Sequence, residues 1–85
     1  MMHQTRTIYS VQAFRLKGSV LEAEAPQAVD DAIQALRRVT RIAHGKAGAV
    51  AVRVDVDPDT QDAPEPVVLR IVGQVPEVFL DQLPF

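Results

Sequence analysis

The chain has 85 residues, a formal net charge of −2 and no cysteine. The missing thiols exclude disulfide frameworks, thiolate zinc centres, iron–sulfur clusters and cysteine nucleophiles together. Apolar residues make up 47% and charged residues 24%, an ordinary globular mixture that argues against disorder and against a membrane protein. A single domain of this length hides only about 60–65% of its unfolded surface, so the core is thin and self-association would thicken it. No apolar run approaches the roughly 20 residues needed to cross a bilayer, and the polar start MMHQTRT has no signal-peptide core, so the expected location is the cytoplasm. Charge is unevenly spread: through Val54 there are eight Lys/Arg against four Asp/Glu, giving +4, and from Asp55 onward one against seven, giving −6.

Residues 7–16 are rich in β-formers (Ile8, Tyr9, Val11, Phe14) without Gly or Pro, which predicts a strand. Its alternation is imperfect, because Tyr9, Val11 and Ala13 share one face while Phe14 and Leu16 share the other. Either a bulge near Ala13 or cover on both faces reconciles them. Lys17, Gly18 and Ser19 supply a turn. Residues 20–25 read as a short edge strand, with Glu22 and Glu24 as charges that guard an open edge. Asp31 followed by Gln34 has capping-box spacing. A helix is expected from the three- and four-residue recurrence of Val29, Ala32, Ile33, Leu36, Val39 and Ala43, and Gly45 suits its C-terminal stop.

Residues 48–57 alternate cleanly, with Val50, Val52, Val54 and Val56 on one face, expected to meet the helix, and Ala49, Ala51, Arg53 and Asp55 on the other. Residues 57–66 have hairpin-loop composition. Residues 67–75 resume the alternation up to Pro76, with Val68 and Val72 expected beside Tyr9 and Val11 on the side away from the helix. The expected fold is α+β: an antiparallel sheet of three or four strands, ββαββ or βαββ, with one helix on one face, forming a single domain over residues 1–85. One helix covers only one face. The tail, residues 77–85, carries Val78, Phe79, Leu80, Leu83 and Phe85, too apolar for a solvated end.

Candidate chemistry is sparse. Asp55, Asp57, Asp59 and Asp62 begin with the i, i+2, i+4 spacing of a calcium loop, but Thr60 and Pro66 stand where Gly and Glu are needed, so a solvated turn is expected and no metal site is assigned. Arg37, Arg38, Arg41 and Lys46, with Arg15, Lys17 and Arg53 as outlying members, form a candidate phosphate-binding face. The same arginines also suit the negative end of a helix dipole. Stacking aromatics are few and net charge is negative, so nucleic acid is not the expected partner. Ser10 and Ser19 lack a nucleophile elbow, and His3 and His44 cannot form a metal site alone. No catalytic residue and no cofactor is expected. The Gly-Lys-Ala-Gly stretch at residues 45–48 follows a helix and opens a strand, the reverse of a phosphate loop.

The stretch Ala47-Gly48-Ala49-Val50-Ala51, the Asp57-Pro58 turn and the ending from Val68-Leu69 through Gly73 to Val75-Pro76 are similar to small uncharacterised proteobacterial proteins. That resemblance spans the C-terminal half and implies no activity or site residue. The succession of short strand, helix and hairpin also resembles dodecin-like flavin-binding assemblies in outline, but there is no tryptophan here to stack on a flavin. The expected role is a non-enzymatic interaction or assembly module, homodimeric, acting through Val78, Phe79, Leu80, Leu83, Phe85 and the uncovered sheet face. Phosphate or nucleic-acid binding by the arginine face is one alternative, and small-ligand binding in an oligomer groove is another.

Overall fold

The computed structural model describes residues 6–59 and 65–80. Five strands form one antiparallel sheet: β1 (Arg6–Lys17), β2 (Val20–Ala23), β3 (Gln27–Val29), β4 (Gly48–Val56) and β5 (Val67–Gly73). Helix α1 (Ala32–Ile42) connects β3 to β4, and a helical turn α2 (Glu77–Leu80) follows β5. β1 and β4 are central, β5 is one edge, and β2 and β3 share the other. The α+β class is the expected one, with one strand more than the sequence suggests.

Cover on both faces explains the imperfect alternation of β1, with Tyr9, Val11 and Ala13 in one core cluster and Phe14 in the other. The pairing of β1 with β4 runs without a shift from Arg6↔Val56 to Phe14↔Gly48, so β1 has no bulge and is apolar on both faces. The irregularity lies in its other neighbour. Phe14 pairs with Ala23 and Val11 with Gln27, so residues 24–26 lie opposite only Gln12 and Ala13. One surplus residue splits the edge into β2 and β3. The Glu24 N–H still donates to the Ala13 carbonyl (2.9 Å), and the Gln12 side-chain amide donates to the Glu24 carbonyl (2.9 Å). Pro26, which has no N–H to offer, falls in the break. Val29 therefore belongs to β3 and not to the helix.

Helix α1 begins where its cap dictates. Asp31 has extended backbone, and its Oδ1 accepts the Gln34 N–H at 2.8 Å, while Gln34 Oε1 reaches back to the Asp30 N–H at 3.3 Å. Replacing Asp31 with alanine orphans that donor and is expected to cost about 1 kcal/mol, lowering Tm by about 4–8 °C, with asparagine restoring most of the loss in a thermal melt. At the other end Gly45 has φ +76°, the left-handed conformation that stops the helix. The buried stripe is Ala35 and Val39, flanked by half-buried Ile42 and Ala43. Ile33, counted on the apolar face from its spacing, is instead 63% exposed, because a helix centred on Ala35 and Val39 turns Ile33 to the opposite side.

The sheet's two faces are allotted opposite to expectation. Val11, Ala13, Ala49 and Ala51 are buried with Ala35 and Val39, joined by Tyr9, Leu69 and Val72, so this is the helix side. Val50 and Val52 lie on the other face with Phe14, Val75, Val68, Ile71 and Phe79. The valines of β4 therefore point away from α1. Small residues decide this: a helix comes close to a sheet over alanines, and closeness yields dispersion contacts that bulkier side chains would prevent. β5 places Val68 on one face and Leu69 and Val72 on the other because its register with β4 slips by one residue between Ala51 and Val52.

The path into the second face runs over Gly48. β5 ends at Gly73 (φ +72°), before Pro76, and the Gln74 N–H then donates to the Ala47 carbonyl at 2.9 Å. The chain thereby crosses over Gly48 and drops Val75 into the second core, where it is 7% exposed. Pro76 precedes α2 and its carbonyl accepts the Phe79 N–H (3.1 Å). The Phe79 ring then lies 5.9 Å, centroid to centroid, from Phe14 at a tilt of 57°, an arrangement aromatic rings favour.

Candidate functional site

Three surfaces account for the candidates read from the sequence. The acidic one is a turn. Both oxygens of Asp55 are engaged, Oδ1 by the Thr7 hydroxyl at 2.9 Å and Oδ2 by Arg53 Nε at 3.4 Å. Asp57 Oδ1 accepts the Asp59 N–H at 2.9 Å across Pro58, an Asx turn. Asp62 lies outside the described residues. Among the described residues no three His, Asp or Glu side chains group to hold a metal ion. Ser10 pairs with Val52 on the second face, whereas His44 follows α1 on the first, so the two do not form a nucleophile–base pair. His3 is outside the described residues.

The basic candidates divide. Arg37, Arg38 and Arg41 line one surface depression of about 280 Å³ together with Gln34. Lys46 is elsewhere: its ammonium lies 2.7 Å from a Glu24 carboxylate oxygen, joining the helix-to-strand connection to the edge-strand break. Arg15 likewise pairs with Glu22 (3.4 Å) and Arg53 with Asp55. Arg15 is 64% exposed and Lys46 and Arg53 are 37% and 39% exposed, so such pairs contribute little to stability, about 0–1 kcal/mol each. The sequence pattern could not separate Lys46 from the arginines, since its partner stands 22 residues earlier on another element.

The third surface is the second face of the sheet. α2 covers the end that holds Phe14, Val50 and Val75. Beyond it the face continues through Val52, Val54 and Val56 on β4 and Ile8 on β1, half-buried or exposed, with Ile8 39% exposed. At the opposite end Leu16 is 53% exposed beside half-buried Leu21. Of the tail residues named above, Phe79 packs on its own chain's Phe14, Val78 is 64% exposed and Leu80 is 37% exposed. Leu83 and Phe85 lie outside the described residues. The sequence reading singled out the tail but missed Ile8, Val54 and Leu16. Alternation along β1 places Ile8 and Leu16 with Phe14, whereas Val54 joins them only through its pairing with Ile8.

No family model matches the chain, and no curated protein or solved structure is significantly similar to it. Among the described residues no helix is long and apolar enough to cross a membrane.

Proposed function

We propose that this protein is a non-enzymatic assembly module that acts as a two-fold homodimer, closing the second face of its sheet, with α2 alongside, against a second copy. The observation that supports this reading is the group of Val54 and Val56 on β4 with Ile8 paired to Val54, apolar side chains of the second face that are half-buried or exposed and belong to neither core cluster. A sheet face of this composition calls for a second layer. A second copy suits it for two reasons. A two-fold interface is self-complementary, so an apolar strip meets an apolar strip. The +4 and −6 halves of the sequence also let the basic part of one chain approach the acidic part of its mate.

The rival occupant is the chain's own tail. Phe79 shows that the start of the tail can seat on this face, and it does so at the Phe14 end, in the cluster that does not include Ile8, Val54 or Val56. Sedimentation equilibrium at high micromolar concentration is expected to give twice the chain mass, with only a modest weakening on raising the salt concentration, because salt screens the charged periphery and not the apolar contact. A monomer under those conditions would falsify the reading.

A further inference from the structure

Every residue lining the depression on α1 carries hydrogen-bond donors at the end of its side chain, and we infer that Arg37, Arg38, Arg41 and Gln34 form a binding site for a small phosphate-bearing anion. The three guanidinium groups carry five N–H donors each and no acceptor. Gln34 offers both, with its carbonyl oxygen accepting the Asp30 N–H at 3.3 Å and its amide N–H groups adding two donors. Three guanidinium groups around one depression complement a ligand rich in acceptor oxygens, which describes a phosphate or diphosphate group. At about 280 Å³ the depression is small for a drug-sized ligand and ample for one or two phosphate groups.

Two further observations separate this cluster from an ordinary solvated helix face. No acidic residue occurs between Ala32 and Ala47, and among the described residues no carboxylate lies within ion-pair distance of Arg37, Arg38 or Arg41. Surface helices usually intersperse such cations with Glu or Asp at three- or four-residue steps, and here like charges stand at those steps unrelieved. The helix dipole accounts for Arg41, the basic residue of the last turn, but its influence fades before Arg37 and Arg38. Arg38 is moreover held in place. Its Nη1 donates to Gln27 Oε1 on β3 at 3.0 Å, and its Nε is a buried donor without an acceptor among the described residues. The edge-strand break that creates β3 thus supplies the residue that positions Arg38.

The shape of the lining favours a small ligand over nucleic acid, since no aromatic side chain borders it to stack on a base. Pyrophosphate, inorganic phosphate and a single-stranded oligonucleotide would each be titrated into the intact chain at constant ionic strength, following backbone amide shifts. Pyrophosphate is expected to give saturable shifts confined to residues 34–41 and Gln27, with inorganic phosphate weaker at the same positions. Replacing Arg37 and Arg41 together with Gln is expected to weaken pyrophosphate about a hundredfold, because two charge-assisted contacts are lost. Replacing Arg15 and Lys17 with Gln, at the end of β1 that pairs with β2, would change it less than about twofold, as screened and distant charges do. Arg37→Lys keeps the charge but not the planar fork, so an intermediate loss is the signature of a geometric site. Non-saturating shifts, equal sensitivity to the Arg15 and Lys17 replacements, or tighter binding of the oligonucleotide than of pyrophosphate would each overturn the assignment. The site lies on the helix side of the sheet, so these outcomes do not depend on whether the chain dimerises through the other face.

Discussion

Gly48→Ala is expected to lose about 3 kcal/mol or more of folding stability, a large share of the total that a domain of this size commands. The cause is space and not backbone conformation. A Cβ on Gly48 would sit on the backbone of Gln74, meeting its carbonyl oxygen, nitrogen and carbonyl carbon at once. Backbone cannot turn aside as a flexible side chain does, so the crossing segment must lift. Lifting it withdraws Val75 and then Phe79 from Phe14 and Val50, which opens the second core. Gly45→Ala is the control. Gly45 has φ +76° but open space around its Cα, so alanine there meets only the left-handed penalty of about 1–2 kcal/mol. Urea unfolding of both variants tests the difference: a Gly48→Ala loss no larger than that of Gly45→Ala would remove the crossing from the account of this fold.

Val54→Lys is expected to raise the dimer dissociation constant by at least a hundredfold while leaving the chain folded. Val54 is half-buried on the second face and belongs to neither core cluster. In a monomer the new ammonium reaches water along the sheet, so the folding cost should stay near 1 kcal/mol or below. In a closed interface two copies of that ammonium are desolvated without a partner. Each such burial costs several kcal/mol, and the two-fold axis doubles the effect. Val78→Lys on the exposed side of α2 provides the comparison, since Val78 is already 64% exposed. Sedimentation of the variants beside the intact chain, with circular dichroism to confirm folding, reads the result. A loss with Val78→Lys alone would move the interface to the tail, and an unperturbed dimer in both would refute the sheet-face assignment.

The local elements are legible in the sequence because each rests on near-neighbour physics. β-formers without Gly or Pro predict β1, strict alternation predicts β4, and Asp31 with Gln34 starts α1 where the cap hydrogen bond is seen. The arginine group is legible for the same reason: Gln34, Arg37, Arg38 and Arg41 are neighbours on any helix, and the depression they line needs no other element. Gly45 likewise stops the helix through its own backbone freedom.

Other features depend on contacts between distant parts of the chain. Alternation tells which residues share a face but not which face meets the helix. That choice was made by Ala13, Ala49 and Ala51, whose size allows α1 to approach, and it sends Val50 and Val52 to the opposite side. β3 exists because β1 has hydrogen-bonding edge to spare beyond β2, which a three-residue segment ending in Val29 can fill only by pairing 16 to 20 residues back. Lys46 left the basic group for Glu24 because the fold brings an edge-strand carboxylate under the helix-to-strand connection. The sequence by itself determined β1, β4, the start and stop of α1 and the arginine stripe, since a hydrogen bond or a local repeat spans only a few residues. Tertiary structure alone decided the pairing of faces and the crossing over Gly48, since close packing compares the sizes of side chains that meet only after the chain has folded.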